Sequence, residues 1–196
     1  MSAQVDAEKA ALRPRMRSLR RRLARDLPQA DWMAGEHVEG LLAALGLAAP
    51  GVAAVYNPAG AEFDPACVIE KLRAFGWTVA LPTCPAPQTA MVFRVHAPGD
   101  PLAPDGAGIL SPTPRAPVAV PDLIVAPVLA FDARGRRLGQ GGGYYDRTLD
   151  ALKAAGVVPA VAGLAYAGQQ VETVPAEDHD QRLDAILTET GYRLFA

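Results

Sequence analysis

At 196 residues the chain is long enough for one domain with a substantial core and short for two. Half of its residues are apolar and a fifth are charged, as in ordinary soluble globular proteins. The net charge of −2 argues against nucleic acid as the default partner, and the absence of a run of about 18 apolar residues argues against a membrane span.

The start of the chain carries Asp6 and Glu8 and has no apolar h-region, so it does not read as a secretory signal. Cys67 and Cys84 have neither CxxC nor zinc spacing and read as reduced core thiols, which makes the cytoplasm the expected compartment. Residues 5 to 26 hold Lys9 and seven arginines. Leu12, Met16, Leu19 and Leu23 recur at intervals of 4, 3 and 4, the spacing of one helical face. Pro14 falls inside this pattern and predicts two helical pieces or a bend. The arginines read chiefly as a solvated face, with one or two reaching an anionic ligand. An RNA-binding arm is a weaker reading, because no aromatic residue interleaves with them.

A second helix is predicted over Ala30 to Leu45, with Asp31 near its start, Gly46 past its end and His37 on its surface. Val52 to Tyr56 reads as a buried strand and 57–62 as a loop. Asp64 and Pro65 then open a helix to Phe75, and Trp77 to Leu81 forms the next strand, closed by Pro82. This is a βαβ unit, for which a right-handed crossover is expected. Met91 to Val95 is a short edge strand. Seven prolines between Pro98 and Pro121 suggest a long ordered surface loop rather than a linker. Leu123 to Ala126 is an apolar strand interrupted by Pro127, and Phe131 to Gly135 is rich in turn residues. Tyr144 to Leu152 reads as a helix with Tyr145, Leu149 and Leu152 on one face. Val157 to Ala165 is a buried strand, 171–174 is short and extended, 175–180 is an acidic loop, and Ala185 to Thr188 is the last clear strand. The alternation of apolar strands and helices points to an α/β fold, a sheet covered on both faces.

Between the strand at 123 and the helix at 144 stand four glycines in five residues: Gly139, Gly141, Gly142 and Gly143. Glycine costs roughly 1 kcal/mol relative to alanine in regular structure, so such a cluster wants a reason. A glycine-rich turn that opens a helix presents bare amides to an anion, and Arg136, Arg137 and Arg147 flank this one. Neither standard fingerprint fits. Walker A fails for want of a lysine, and the dinucleotide pattern fails because Tyr144 occupies the sixth position from Gly139. Asp146, in the first turn of the helix, reads either as a complement to the helix dipole or as a ligand to a phosphate-bound Mg²⁺, with Asp180 as a second ligand. His179 has no histidine or cysteine partner at metal spacing and reads as a loop residue.

The block Arg137-Leu138-Gly139-Gln140-Gly141-Gly142-Gly143-Tyr144-Tyr145-Asp146-Arg147, preceded by Pro127 and Phe131-Asp132, resembles the signature of the 5-formyltetrahydrofolate cyclo-ligases, also called methenyltetrahydrofolate synthetases. Lys9-x-x-x-Arg13, Glu62, Met91-x-Phe93 and the segment His179 to Glu189 resemble further landmarks of that family, in the family's order. The resemblance implies a single three-layer α/β/α domain over residues 1–196, with a mostly parallel sheet similar to the ribose-phosphate isomerase and CoA-transferase group. It implies that 5-formyltetrahydrofolate and MgATP give 5,10-methenyltetrahydrofolate, ADP and phosphate through an iminium phosphate formed on the formyl oxygen. It further implies that Arg137 neutralises charge on the transferred group. ATP would be held by Lys9, Arg13, Arg137, Gly139, Gln140, Gly141, Gly142, Gly143, Tyr144 and Tyr145. The folate would touch Asn57, Glu62 and Tyr144, and Mg²⁺ would be held by Asp146 and Asp180. Gln140 and Gly142 stand where some relatives carry a basic residue, and Ser111 stands where an acidic residue is expected before proline. A monomer acting on a small molecule is expected. The competing readings are a sugar-phosphate or CoA-handling relative of the same fold class and a nucleic-acid binder using residues 9–25.

Overall fold

The computed structural model describes residues 2–177 and 180–195. Its centre is a seven-stranded sheet. In chain order the strands of this sheet and its two small companions are β1 (Val52–Ala54), β2 (Thr78–Thr83), β3 (Val92–Val95), β4 (Leu102–Pro104), β5 (Leu110–Pro112), β6 (Leu123–Pro127), β7 (Ala130–Phe131), β8 (Arg137–Leu138), β9 (Ala160–Leu164), β10 (Ala185–Thr188) and β11 (Gly191–Leu194). The large sheet runs β11-β10-β9-β6-β1-β2-β3. Its five inner strands are parallel, and β11 and β3 close the two edges antiparallel.

Period-two alternation sends successive side chains to opposite faces and so builds two cores. Ala53, Val55, Leu123, Val125, Ala162, Leu164, Ala185 and Leu187 pack on one face with helices α2 (Ala30–Gly35), α3 (Val38–Ala44) and α4 (Ala66–Ala74). Ala54, Ile124, Ala126, Val161 and Ile186 point the other way, toward α5 (Tyr144–Ala154) and its Tyr145, Leu149 and Leu152. The result is a mixed, mostly parallel sheet with helices on both faces. Among the described residues no helix is long and apolar enough to cross a membrane.

Helix α1 (Ser2–Asp26) runs through Pro14 as one helix, where the sequence predicted two pieces or a bend. The fixed φ of proline is helical, and the stripe on either side of it is seated. Leu12, Met16 and Leu19 pack with Leu129 and Leu138, and Leu23 joins the main core. Burial of that stripe offsets the roughly 3 kcal/mol that an interior proline costs. The predicted helix over 30–45 is instead two, broken at Glu36-His37. Gly35 abuts Cys67 of α4, where an added Cβ would come within 3.2 Å, and Glu36 turns outward to pair with Lys71 at 2.7 Å. Asp64 accepts the Ala66 amide at 3.0 Å and so opens α4.

The proline-rich segment 98–121 is more than a surface loop: it contains the antiparallel β4–β5 hairpin. Asp105 organises that hairpin by accepting the amides of Cys84, Ala107 and Ile109 at 2.8–3.0 Å. β11 is a strand that the sequence reading missed. Its residues are mostly exposed, so no apolar alternation marked it. Residues 171–174 form no strand, although Gln170 makes an isolated bridge with Phe131.

Candidate active site

Leaving β1 the chain proceeds to β2 on one side, whereas the later strands β6, β9 and β10 lie on the other. The carboxyl ends of β1 and β6 therefore flank a topological switch point, the usual place for a ligand in an open α/β sheet. A cavity of about 670 Å³ opens there, within the range of small-molecule sites. Tyr56 and Asn57 follow β1 into it, Pro82 and Cys84 come from the end of β2, and Pro127 to Leu129 come from the end of β6. The β4–β5 hairpin adds Asp105, Ile109 and Leu110, and Asn57 is tied to it by donating to the Leu110 carbonyl at 3.0 Å. Every residue singled out from the sequence as a site candidate lines this cavity: Lys9, Arg13, Asn57, Glu62, Arg137, Gly139, Gln140, Gly141, Gly142, Gly143, Tyr144, Tyr145, Asp146 and Asp180. His179 lies outside the described residues.

One end of the cavity is built for anions. Gly141 and Gly143 have φ of +104° and +63°, left-handed conformations that favour glycine, and Gly143 is the N-cap of α5 without a side-chain cap. Among the described residues, the amides of 139–143 donate to no acceptor. Cations surround them. Arg13 donates Nε to the Gly139 carbonyl at 3.1 Å, and Arg17 donates to the Gln140 side-chain oxygen at 2.9 Å. Arg147 donates to the Gly142 carbonyl and lies over the Tyr144 ring, 5.3 Å from its centroid. Arg13 and Arg17 of α1 thus bring positive charge up to Gly141 and Gln140.

Beside the loop two ion pairs meet at one corner. Arg137 holds Asp146 Oδ1 at 2.6 Å and also donates to the Gln181 carbonyl. Lys9 holds Asp180 Oδ2 at 2.6 Å, and that oxygen also accepts the Glu177 amide. The Gln181 amide, one residue after Asp180 in the chain, lies 3.4 Å from Asp146 Oδ1, and both carboxylates line the cavity. Magnesium riding on nucleotide phosphates takes one or two protein carboxylates, and this donor set fits that need.

The rest of the lining is aromatic and apolar, with Tyr56, Met91, Val128 and Leu129, and Tyr145 borders both it and the loop, within the electrostatic reach of Glu62 and of Arg137. Glu62 is the carboxylate there. Its Oε2 accepts the Ala59 amide at 3.0 Å, and Oε1 faces Arg20 at 3.7 Å. Burial pushes the Glu62 carboxyl above its ordinary value, with the Ala59 amide and Arg20 pulling it partly back. Burial, reinforced by Glu62, likewise holds the Tyr56 and Tyr145 hydroxyls protonated. Burial and then Asp105 push the Cys84 thiol up to about 11, which leaves it a poor nucleophile at neutral pH.

Gln169 and Arg20 carried no signal of their own in the sequence, and Asp132 stood there only as part of the Phe131-Asp132 landmark. Gln169, fully buried, donates its amide to the carbonyls of Val128 and Leu129 at 2.9 Å and accepts the Tyr166 amide. Asp132, 1% exposed, ties the turn before β8 to Val174. Arg20 reads in the sequence as one more basic residue of α1, yet it is buried in the cavity wall.

Residues 5–189 match the 5-formyltetrahydrofolate cyclo-ligase family. The 5-formyltetrahydrofolate cyclo-ligase of Haemophilus influenzae is 34% identical over 139 residues, 68% of this chain and 73% of that protein. That of Mycolicibacterium smegmatis is 31% identical over 163 residues, 78% of this chain and 80% of the other. Among solved structures, the 5,10-methenyltetrahydrofolate synthetase of Aquifex aeolicus superposes with a TM-score of 0.74 at 26% identity, covering 95% of this chain and 92% of its own. A synthetase from Mycoplasma pneumoniae shares the fold, with a TM-score of 0.68 at 23% identity over 92% and 98% of the two chains. A match over nearly the whole length, around a cavity with an anion end and an aromatic end, makes this chain a member of the 5-formyltetrahydrofolate cyclo-ligase family.

Proposed function

We propose that the chain converts 5-formyltetrahydrofolate to 5,10-methenyltetrahydrofolate at the expense of MgATP, releasing ADP and phosphate, and that it does so as one domain acting as a monomer in the cytoplasm. The observation that carries this reading is the two-ended cavity: loop amides that donate to no described residue, with Arg13 and Arg147 on the loop and Arg137 beside it, at one end, and Glu62 with Tyr56 at the other. A formamide is a poor electrophile, so its oxygen must first become a leaving group. The formyl oxygen attacks the γ-phosphorus, the bond to ADP breaks, and an iminium phosphate results. N10 then bonds to the activated carbon, N10 loses its proton, and the C–O bond breaks to release phosphate. Both nucleophiles belong to the folate, so the protein supplies position and charge compensation. The raised thiol of Cys84, the one cysteine in the cavity wall, fits this division of labour.

In this reading the amides of 139–143 and the N-terminus of α5 hold phosphates, with Lys9, Arg13, Gln140, Tyr144 and Tyr145 around the nucleotide. Arg137 faces the charge that develops during transfer. Asp146 and Asp180 hold the magnesium that arrives with the nucleotide, where it offsets phosphate charge. Asn57, Glu62 and Tyr144 contact the folate, with the Glu62 carboxylate accepting pterin N–H groups. Purified protein mixed with 5-formyltetrahydrofolate and MgATP should form the methenyl chromophore with one ADP per product. No product, or product without ATP, contradicts the reading.

Two consequences are measurable. Valine at Gly143 combines a β-branched side chain with φ of +63°, and its Cβ would meet Arg147 Nη1 at 2.7 Å. Strain of roughly 1–2 kcal/mol and a displaced arginine should raise the KM for ATP at least about tenfold, with little change in the KM for folate. Steady-state kinetics with each substrate varied in turn distinguishes the two. The second concerns pH. Protonation of Glu62 removes an acceptor, and its pKa lies above the ordinary value. Folate affinity should therefore be flat above that raised pKa and fall as pH drops through it. Glu62→Gln should bind folate more weakly and lose the pH step. An unchanged step in the variant would assign the titration elsewhere.

A further inference from the structure

The roles assigned so far leave Arg20 without one. Its side chain is 7% exposed and forms part of the cavity wall, projecting from the buried side of α1. A guanidinium carries five N–H donors and no acceptor. The Arg20 side chain nevertheless makes no hydrogen bond with any described residue. Its Nε is buried without an acceptor, and its ionic partner, Oε1 of Glu62, stands 3.7 Å from Nη1, outside hydrogen-bond reach. The other two ion pairs in the same cavity, Lys9–Asp180 and Arg137–Asp146, close to 2.6 Å. Burial lowers the Arg20 pKa and raises that of Glu62, each opposed by the other, so this open pair bears a desolvation cost that its own geometry does not offset. Buried charged groups are normally hydrogen-bonded, and an arginine that is not, in the wall of a ligand cavity, is suited to an acceptor on the ligand.

We infer that Arg20 is a folate-binding residue that donates to the 4-oxo group of the pterin while Glu62 accepts from the neighbouring N3–H and 2-amino groups. The pterin edge presents two donors and one acceptor side by side. A carboxylate beside a guanidinium presents the complementary two acceptors and one donor. Tyr56, within the electrostatic reach of Glu62 and Arg20, and its neighbour Tyr145 supply aromatic surface for the ring. This inference rests on the reading of Glu62 as the pterin contact. It makes Arg20 a determinant of specificity: a 2,4-diamino ring places a donor where Arg20 needs an acceptor.

The test is equilibrium binding, without ATP, of 5-formyltetrahydrofolate and of its 2,4-diamino counterpart to the wild-type chain and to Arg20→Met, Arg20→Gln and Glu62→Gln. Thermal melts establish that each variant is folded. Losing a hydrogen bond to a charged group should weaken binding of the 4-oxo folate by roughly ten- to a hundredfold in Arg20→Met. The preference for the 4-oxo over the 4-amino ring should fall by a similar factor, and MgATP affinity should stay as in the wild type. A purely structural arginine would affect both rings alike, so an unchanged ratio in the Met and Gln variants overturns the inference. If the Met variant does not fold, the Gln variant decides. If the wild-type chain binds 5-formyltetrahydrofolate and Arg20 variants leave the ratio intact, the inference alone fails. If the wild-type chain binds no 5-formyltetrahydrofolate, or binds it equally well with Glu62→Gln, the underlying reading of the site fails with it.

Discussion

Replacing Arg137 by alanine is expected to lower kcat by about a thousandfold or more, the range seen when an arginine facing a transferred phosphoryl group is removed. The side chain is placed by β8, a two-residue strand pinned to β7, and by the fork that reaches both Asp146 and the Gln181 carbonyl. Folding should survive. Asp146 is about a third exposed and keeps the Gln181 amide nearby, so the orphaned carboxylate can be hydrated. Lysine at this position retains the charge but loses the planar fork, so it should recover part of the rate rather than all of it. The check is kcat from the methenyl absorbance, with a thermal melt on the same sample. Near-normal turnover in a folded Arg137→Ala protein would remove Arg137 from the reaction.

The second large effect falls on stability. Asp132 Oδ1 accepts the amides of Arg134 and Arg136 at 2.9 and 3.1 Å, and Oδ2 accepts the buried Val174 amide at 3.0 Å. Alanine there leaves those amides without their acceptor, at about 1–3 kcal/mol for a buried group and less where water reaches the turn. A total of about 3 kcal/mol corresponds to a Tm lower by roughly 6–12 °C in a chain of this size. Because the 132–136 turn leads directly into β8, Arg137 should lose its placement too, and kcat should fall alongside Tm. Asparagine keeps one acceptor oxygen and should recover part of both. An Asp132→Ala protein that melts like the wild type would show that water replaces all three bonds.

The sequence revealed those features whose signal is local and periodic. Apolar runs at 52, 78, 123, 160 and 185 became the five parallel strands, and the stripe Leu12-Met16-Leu19-Leu23 became the seated face of α1. The glycine cluster stood out because a run so costly to helix and strand needs a use, and its positive-φ positions are where the backbone bends into α5. What stayed hidden depends on tertiary neighbours. Pro14 leaves α1 intact because packing on both sides outweighs the lost hydrogen bond. Prolines in 98–121 masked a hairpin that turns out to wall the cavity, since its order comes from Asp105 reaching Cys84 across the fold. Gln169 is one glutamine among polar loop residues until its two carbonyl partners from the end of β6 are in place. Arg20 is indistinguishable by sequence from Arg21 and Arg22, and only the rotation of α1 against the cavity separates it from these exposed neighbours.

The central claim is that the formyl oxygen is activated by phosphoryl transfer inside the two-ended cavity. It is tested most directly with 5-formyltetrahydrofolate labelled with ¹⁸O in the formyl group. Turnover with MgATP should deliver that label to inorganic phosphate, one labelled oxygen per methenyl product. Label released to water alongside unlabelled phosphate would contradict the account.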